Sequence, residues 1–249
     1  METIMIVPTY NEKENVELLV GEILDLPARI DVLIVDDNSP DGTGEIADRL
    51  AAECPGRVHV LHRPGKLGLG TAHLDGFRKA LEMGVSRIMT MDADFSHHPR
   101  YIPAMLERCE AVDLVIGSRY VDGGGTAQCT ALRKILSRGA NGFARLMLGL
   151  HGRDATAGFR CYRREVLESV DLDSIRADGY SFLIEMLFRC QQAGWQVGEV
   201  PIIFVNRLRG ASKISRDEIV KALLTVLRLT PQRFSAARPA RTAQQTGKS

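Results

Sequence analysis

The chain has 249 residues, 45% hydrophobic and 25% charged, which is enough to bury the core of one large α/β domain. The net charge of +1 hides an asymmetry, because Arg207 to Ser249 holds ten Lys/Arg against two Asp/Glu, a local +8 that leaves −7 elsewhere. Cys54, Cys109, Cys129, Cys161 and Cys190 are scattered and form no CxxC, and no apolar run approaches the ~20 residues of a membrane span. These features exclude a disulfide framework, a zinc site and a spanning segment; with no secretory leader after Met1, the expected compartment is the cytoplasm, and nucleic acid is not an expected partner.

In chain order, short β-branched runs alternate with segments of helical period. "TIMIV", a helix from about Glu14 to Leu26, "DVLIVDD", a helix from about Gly42 to Ala52 and "RVHVLH" come first. A helix from about Thr71 to Met83, "RIMTM", a helix from about Pro99 to Cys109 and "DLVIGS" follow. This alternation predicts βαβ units and a mostly parallel sheet, whose ligands sit at the carboxyl ends of the strands.

Each strand ends in a polar segment. In "VPTYNEKEN", Pro8 is expected to stop the strand and Asn11 to cap the next helix, while Tyr10 is left at the strand mouth to stack on a planar ligand. In "IVDDNSPDGT", residues 38–43 read as turn and cap, but Asp36 and Asp37 stand where nucleotide-binding sheets hold a ribose or base. "RPGKLGLGTAHLDGF" matches no phosphate-loop pattern, so its glycines are read as allowing close helix packing. "MDADFSHHP" places Asp92 and Asp94 together after a buried strand, a repulsion relieved by a divalent metal with hard oxygen ligands. The adjacent His97 and His98 share no helix or strand face, which argues against zinc, and Ser96 or His98 can cap the following helix.

Further on, "TALRKILSRGANGFARLML" carries an apolar stripe of Leu132, Ile135, Leu136, Phe143, Leu146 and Met147 beside Arg133, Lys134, Arg138 and Arg145. It suits either a lipid surface or packing with a solvated basic face. Asp154 and Thr156 precede a strand at a sugar-side position, and Glu185, in an otherwise core-like helix, either pairs with an Arg or faces the sugar. "RDEIVKALLTVLRL" bears a second amphipathic stripe, and the stretch 231–249 is expected to be a basic, disordered tail after a domain spanning 1–230.

In this order, "VPTYNEKEN", "IVDDNSPDGT", "GKLGLGTAHLDGF", "MDADFSHHP", "GSRY", "SRGAN", "GFRCYRREVL" and "GEVPIIFVNRLRGASK" resemble dolichol- and polyprenol-phosphate mannose synthases among the family 2 glycosyltransferases. The resemblance runs from about Thr3 to Leu229. It implies a GT-A fold and inverting transfer of mannose from GDP-mannose to a polyprenyl monophosphate with Mg²⁺ or Mn²⁺. It also implies that Pro8, Tyr10, Glu12, Val35 and Asp37 hold the guanosine, and that Asp92, Ala93 and Asp94 span the sugar diphosphate. Asp94 is then the main metal ligand with Asp92 beside it, and Ser96 ligates directly or through water. Arg119, Arg207 and Lys213 surround the phosphates, and Arg133 and Ser137 with Arg119 contact the acceptor phosphate.

The residues support the chemistry independently. A metal with Arg207 and Lys213 would stabilise the departing diphosphate more in the transition state than in the ground state. An acceptor phosphate with second pKa about 6 is already ionised at pH 7, so no histidine base is needed. Two amphipathic elements and the basic end predict peripheral attachment to the cytoplasmic membrane face, with a membrane-anchoring protein as a further partner. Two other readings stand beside this one: a UDP-glucose or other sugar-nucleotide enzyme of the same fold, and a non-catalytic nucleotide-sugar-binding protein.

Overall fold

The computed structural model of the protein describes residues 2–206 and 216–235. The first half alternates as expected: β1 (Thr3–Thr9), α1 (Val16–Leu24), β2 (Asp31–Asp36), α2 (Thr43–Glu53), β3 (Val58–His62), α3 (Leu69–Glu82), β4 (Arg87–Thr90), α4 (Ile102–Ala111) and β5 (Leu114–Ser118). Then come β6 (Gly125–Ala127), α5 (Ala131–Leu148), β7 (Arg160–Arg163), α6 (Arg164–Ser169), α7 (Gly179–Gln192), β8 (Val197–Pro201), β9 (Ile203–Val205) and α8 (Arg216–Ser235).

The main sheet has the order β3-β2-β1-β4-β7-β5-β8, parallel except for β7, which runs antiparallel to β4 and β5. Alternate residues of the buried strands feed two cores. Met5, Val7, Val32 and Ile34 pack with α1, α2 and α4, whereas Ile4, Ile6, Leu33 and Val35 pack with α3 and the C-terminal helices. The packing role read for the glycines holds at Gly76, where an added Cβ would stand 2.7 Å from Ile6 Cγ2. This absence of a side chain brings α3 directly onto β1 and β2.

Three local expectations are corrected. Pro8 does not stop β1, which continues to Thr9 with Pro8 opposite Val35. Backbone bonds of a parallel strand alternate between neighbours, and Pro8 falls on the β4 side, past the last β1–β4 pair at Ile6 and Thr90. Its missing N–H therefore breaks no ladder bond. Asn11 does not cap α1; it adopts φ 59°, and the helix starts at Val16 after a turn in which Glu12 Oε2 accepts from Asn15 Nδ2 at 2.8 Å. Finally, α8 runs to Ser235, five residues into the stretch expected to be tail, carrying Pro231 inside it. Arg233 holds that last turn in place by donating to the Leu146 and Met147 carbonyls at the end of α5. Residues 236–249 lie outside the described residues.

Candidate active site

After β1 the chain moves through β2 and β3 on one side, then crosses to β4 on the other side of β1. The loops leaving β1 and β4 diverge at this switch point, where open α/β sheets place their ligands. Three non-glycine residues with left-handed backbone, Asn11, Asn38 and Phe95, lie in the loops after β1, β2 and β4. Such strain collects where a loop is shaped by something other than its own comfort.

The loop after β4 carries the acid pair. Ala93 is buried in the core, fixing the backbone between a part-exposed Asp92 and a buried Asp94. Phe95, at φ 57°, turns the chain so that the Ser96 N–H donates to Asp94 Oδ1 at 3.0 Å. The Ser96 hydroxyl is itself buried and has no hydrogen-bond partner. A sealed hydroxyl without a partner beside two carboxylates is a hard-oxygen set that fits a divalent cation. Among the described residues, no three His, Cys, Asp or Glu side chains converge as a ready-made cage, so hydroxyl or water oxygens would have to complete any such shell.

His97 is buried between Phe159 and Phe204, with its Nδ1 3.6 Å from Asp92 Oδ2. Burial pushes its pKa down to about 4, against the opposing pull of Asp94. A sealed, neutral imidazole is not placed to take a substrate proton. His98 is exposed and does the capping expected of it, its Nδ1 accepting from the Arg100 N–H at 3.2 Å.

On the β1–β2 side, Pro8, Tyr10 and Glu12 are half-buried at the strand mouth. The Lys66 ammonium lies 4.3 Å from the Tyr10 ring centroid, and the Glu12 N–H donates to Thr43 Oγ1 at 2.9 Å. Asp37 is buried against Arg63 and accepts from the Leu67 N–H at 3.2 Å. Burial lifts its pKa above the ordinary value despite the Arg63 charge. Val35, expected among the guanosine-holding residues, keeps its side chain away from the strand mouth. That side chain is fully buried with Ile6 beneath Gly76, because strand alternation turns it to the α3 face. Asp36 is likewise a turn residue, accepting from Thr9 Oγ1, Ser39 N and Ser39 Oγ.

On the β5 side, Arg119 grips Asp154 in a fork, Nε to Oδ2 at 2.7 Å and one terminal nitrogen to Oδ1 at 2.6 Å, and reaches Thr156 at 2.9 Å. Burial disfavours the Arg119 charge, yet Asp154 outweighs it and holds the guanidinium's pKa above its ordinary value. Asp154 is fully buried and committed to this pair rather than open at the expected sugar-side position. Glu185 takes the pairing role, bound by Arg189 and Arg228 where α7 meets α8. Ser137 accepts from the Tyr120 hydroxyl at 2.7 Å. Arg207, Lys213 and the Arg133 side chain lie outside the described residues. The strand leading to Arg207 is tied to the acid loop, with Val205 N–H donating to the Ser96 carbonyl at 3.2 Å and Phe204 5.3 Å from Arg119.

Sequence reasoning missed Arg63 and Lys66, which flank Pro64 and Gly65 after β3 and reach Asp37 and Tyr10. The only signal was two basic residues beside a strand end that faces acids.

Residues 4–171 match the family described as Glycosyl transferase family 2. A polyprenol monophosphomannose synthase of Mycolicibacterium smegmatis is 47% identical over 90% of this chain and 85% of its own. An undecaprenyl-phosphate mannosyltransferase of Micrococcus luteus is 47% identical over 92% of this chain and 93% of its own. Among solved structures, the glucosyl-3-phosphoglycerate synthase of Mycobacterium tuberculosis, in complex with Mn²⁺ and UDP, superposes with TM-score 0.64 at 20% identity, over 92% of this chain and 80% of that one. A mannosyltransferase from Pyrobaculum calidifontis, in complex with GDP-Man and Mn²⁺, superposes with TM-score 0.56 at 16% identity, over 96% and 75%. At those identities the structures speak to fold alone.

Proposed function

The chain belongs to glycosyl transferase family 2, and from that premise we propose that it transfers mannose from GDP-mannose to a polyprenyl monophosphate. The observation that carries this reading is 47% identity, over nine-tenths of the chain, to two relatives named for mannosyl transfer to polyprenyl phosphate. In the step, an acceptor phosphate oxygen bonds to the anomeric carbon while the bond from that carbon to the GDP β-phosphate oxygen breaks. The leaving diphosphate keeps the electron pair, and attack from the opposite face inverts the centre.

The site suits that step. The acceptor arrives ionised, so the neutral, sealed His97 has no base role to fill. Asp92, Asp94 and the unpartnered Ser96 hydroxyl would hold Mg²⁺ or Mn²⁺. When bound, such an ion supplies positive charge to the leaving diphosphate. Tyr10 offers a ring to the base at the switch point, while Lys66, Arg207 and Lys213 offer cations to the phosphates. Arg119, Arg133 and Ser137 orient the acceptor phosphate, with Arg119 pre-set by Asp154. The exposed apolar faces of α5 and α8 hold the enzyme on the membrane surface that carries its lipid acceptor.

The test supplies labelled GDP-mannose and a polyprenyl phosphate in neutral detergent, with Mg²⁺ or Mn²⁺. Lipid-linked mannose is expected from the wild-type chain, with Asp94→Ala slower by roughly 10³-fold or more. No transfer with either ion, or stronger thermal stabilisation by UDP than by GDP, would sink the assignment.

A further inference from the structure

Arg63 leaves β3 beside Asp37 leaving β2, at the carboxyl end of the sheet. The Arg63 N–H donates to the Asp36 carbonyl at 2.8 Å and the Asp37 N–H to the Thr9 carbonyl at 3.0 Å, which locks the ends of β1, β2 and β3 side by side. The Arg63 guanidinium is buried and held at each nitrogen. One terminal nitrogen meets Asp37 Oδ1, the other donates to Thr71 Oγ1 at 2.6 Å, and Nε donates to Asp75 Oδ2 at 3.0 Å. A buried ion pair stabilises a fold poorly, since apolar groups of the same volume do as well or better. The turn after β2 does not need it, because Asp36 closes that turn through Ser39. The pair stands instead where open α/β sheets present residues to their ligands.

We propose that Arg63 is a positioning residue that sets the nucleobase preference of the donor site, by fixing Asp37 as an ionised acceptor in one orientation. The inference rests on the part of the transfer reading that puts the guanosine at Asp37, and it names what makes that carboxylate selective. An ionised carboxylate only accepts, with about four positions on its two oxygens. Arg63 takes one on Oδ1 and the Leu67 N–H one on Oδ2, at 3.2 Å, while the Gly68 N–H also favours the charged form. These donors orient the group from the protein side and leave acceptor capacity for a ligand. Guanine offers N1–H and an exocyclic amine side by side, an edge of donors. Uracil offers one N–H between two carbonyls, which a carboxylate repels.

Protonation would spoil the match by turning one acceptor into a donor. Burial pushes the Asp37 carboxyl towards that state, and the Arg63 charge is the largest force against it. The other charged groups of the surrounding elements are engaged elsewhere. Lys66 lies over Tyr10, Asp36 is bound by Thr9 and Ser39, Asp75 also accepts from Arg78, and Asp178 accepts from the Gly70 N–H. Among the described residues, Arg63 is the cation in contact with Asp37.

Calorimetry on the full chain with Mg²⁺ tests the role, comparing GDP with UDP and with inosine diphosphate, which lacks the exocyclic amine. The wild-type chain is expected to bind GDP about tenfold or more tighter than either. Arg63→Gln should bring GDP and inosine diphosphate within about twofold of each other, whereas a merely loosened loop would weaken both alike and keep their ratio. Without the Arg63 charge, Asp37 takes up its proton at higher pH. GDP affinity of Arg63→Gln should therefore fall about tenfold from roughly pH 8 to pH 6, with little change in the wild type. Arg63→Lys keeps the charge but loses the fork, and it decides the matter if Arg63→Gln fails to fold: its ratio should drop at least about threefold. The wild-type ratio retained in every variant that folds, or a wild-type chain that binds GDP no tighter than the other two, would overturn the proposal. Absence of mannose transfer by a chain that still prefers GDP would sink the transfer reading and leave this role intact.

Discussion

Ser96 carries a hydroxyl enclosed by the acid loop and left without a hydrogen-bond partner. Burying an unmatched hydroxyl destabilises a fold by roughly 1–3 kcal/mol, so Ser96→Ala is expected to leave the melting temperature unchanged or higher. The same substitution should raise several-fold the Mn²⁺ concentration needed for half-maximal transfer. A metal titration alongside thermal melts checks both, and an unchanged titration would remove Ser96 from the metal shell. At this scale the sequence was readable where chemistry is local: two acids flanking a small residue after an apolar strand announce themselves. It was silent where a role depends on a distant partner. Asp37 meets Arg63 across 26 positions and Asp154 meets Arg119 across 35, so their commitment to ion pairs appears only once the sheet brings them together.

The element whose chemistry depends most on its surroundings is α3, which carries His73 into the core against Phe77 and Phe182. Burial pushes its pKa down to about 4, and the Arg160 charge acts in the same direction against the hydrogen bond to Leu69 O. The folded protein therefore holds His73 neutral while the unfolded chain protonates it below about 6.5. Stability is full above that pH and falls as pH drops from about 6.5 towards 4, by on the order of 3 kcal/mol at the low end. Melting temperatures measured across that range should decline, and His73→Phe should flatten part of the decline; an identical slope in the variant would exclude His73. The existence and type of the elements were legible because periods of two and 3.6 are written in the apolar residues. Their ends were less so. Pro8 reads as a break but sits where its lost N–H falls beyond the last β1–β4 pair, which the sequence does not display.

Among the described residues, eight of the ten exposed large apolar side chains stand on two helices, Ile135, Leu136 and Leu146 on α5 and Val220, Leu223, Leu224, Leu227 and Phe234 on α8; only Leu18 and Leu67 lie elsewhere. The helices pack together, and Arg233 ties the α8 end to the end of α5, so both exposed stripes are carried by one packed pair of helices. No helix among the described residues is long and apolar enough to cross a membrane. Replacing Leu224 and Phe234 together by Asp should reduce partition onto neutral lipid vesicles at least tenfold in flotation, and undiminished flotation would rule out these stripes as the membrane contact. The amphipathic stripes were visible in the sequence, whereas the pairing of the two helices that carry them needed the fold. The sealed pair of Arg119 and Asp154 carries a different consequence, one of inheritance. Removing one partner strands a buried charge at a cost of about 3–5 kcal/mol, while exchanging both for apolar groups can be nearly neutral. In stability the two positions therefore behave as a single character, each single loss costing more than the double exchange, and the phosphate-orienting role of Arg119 favours lineages that retain both.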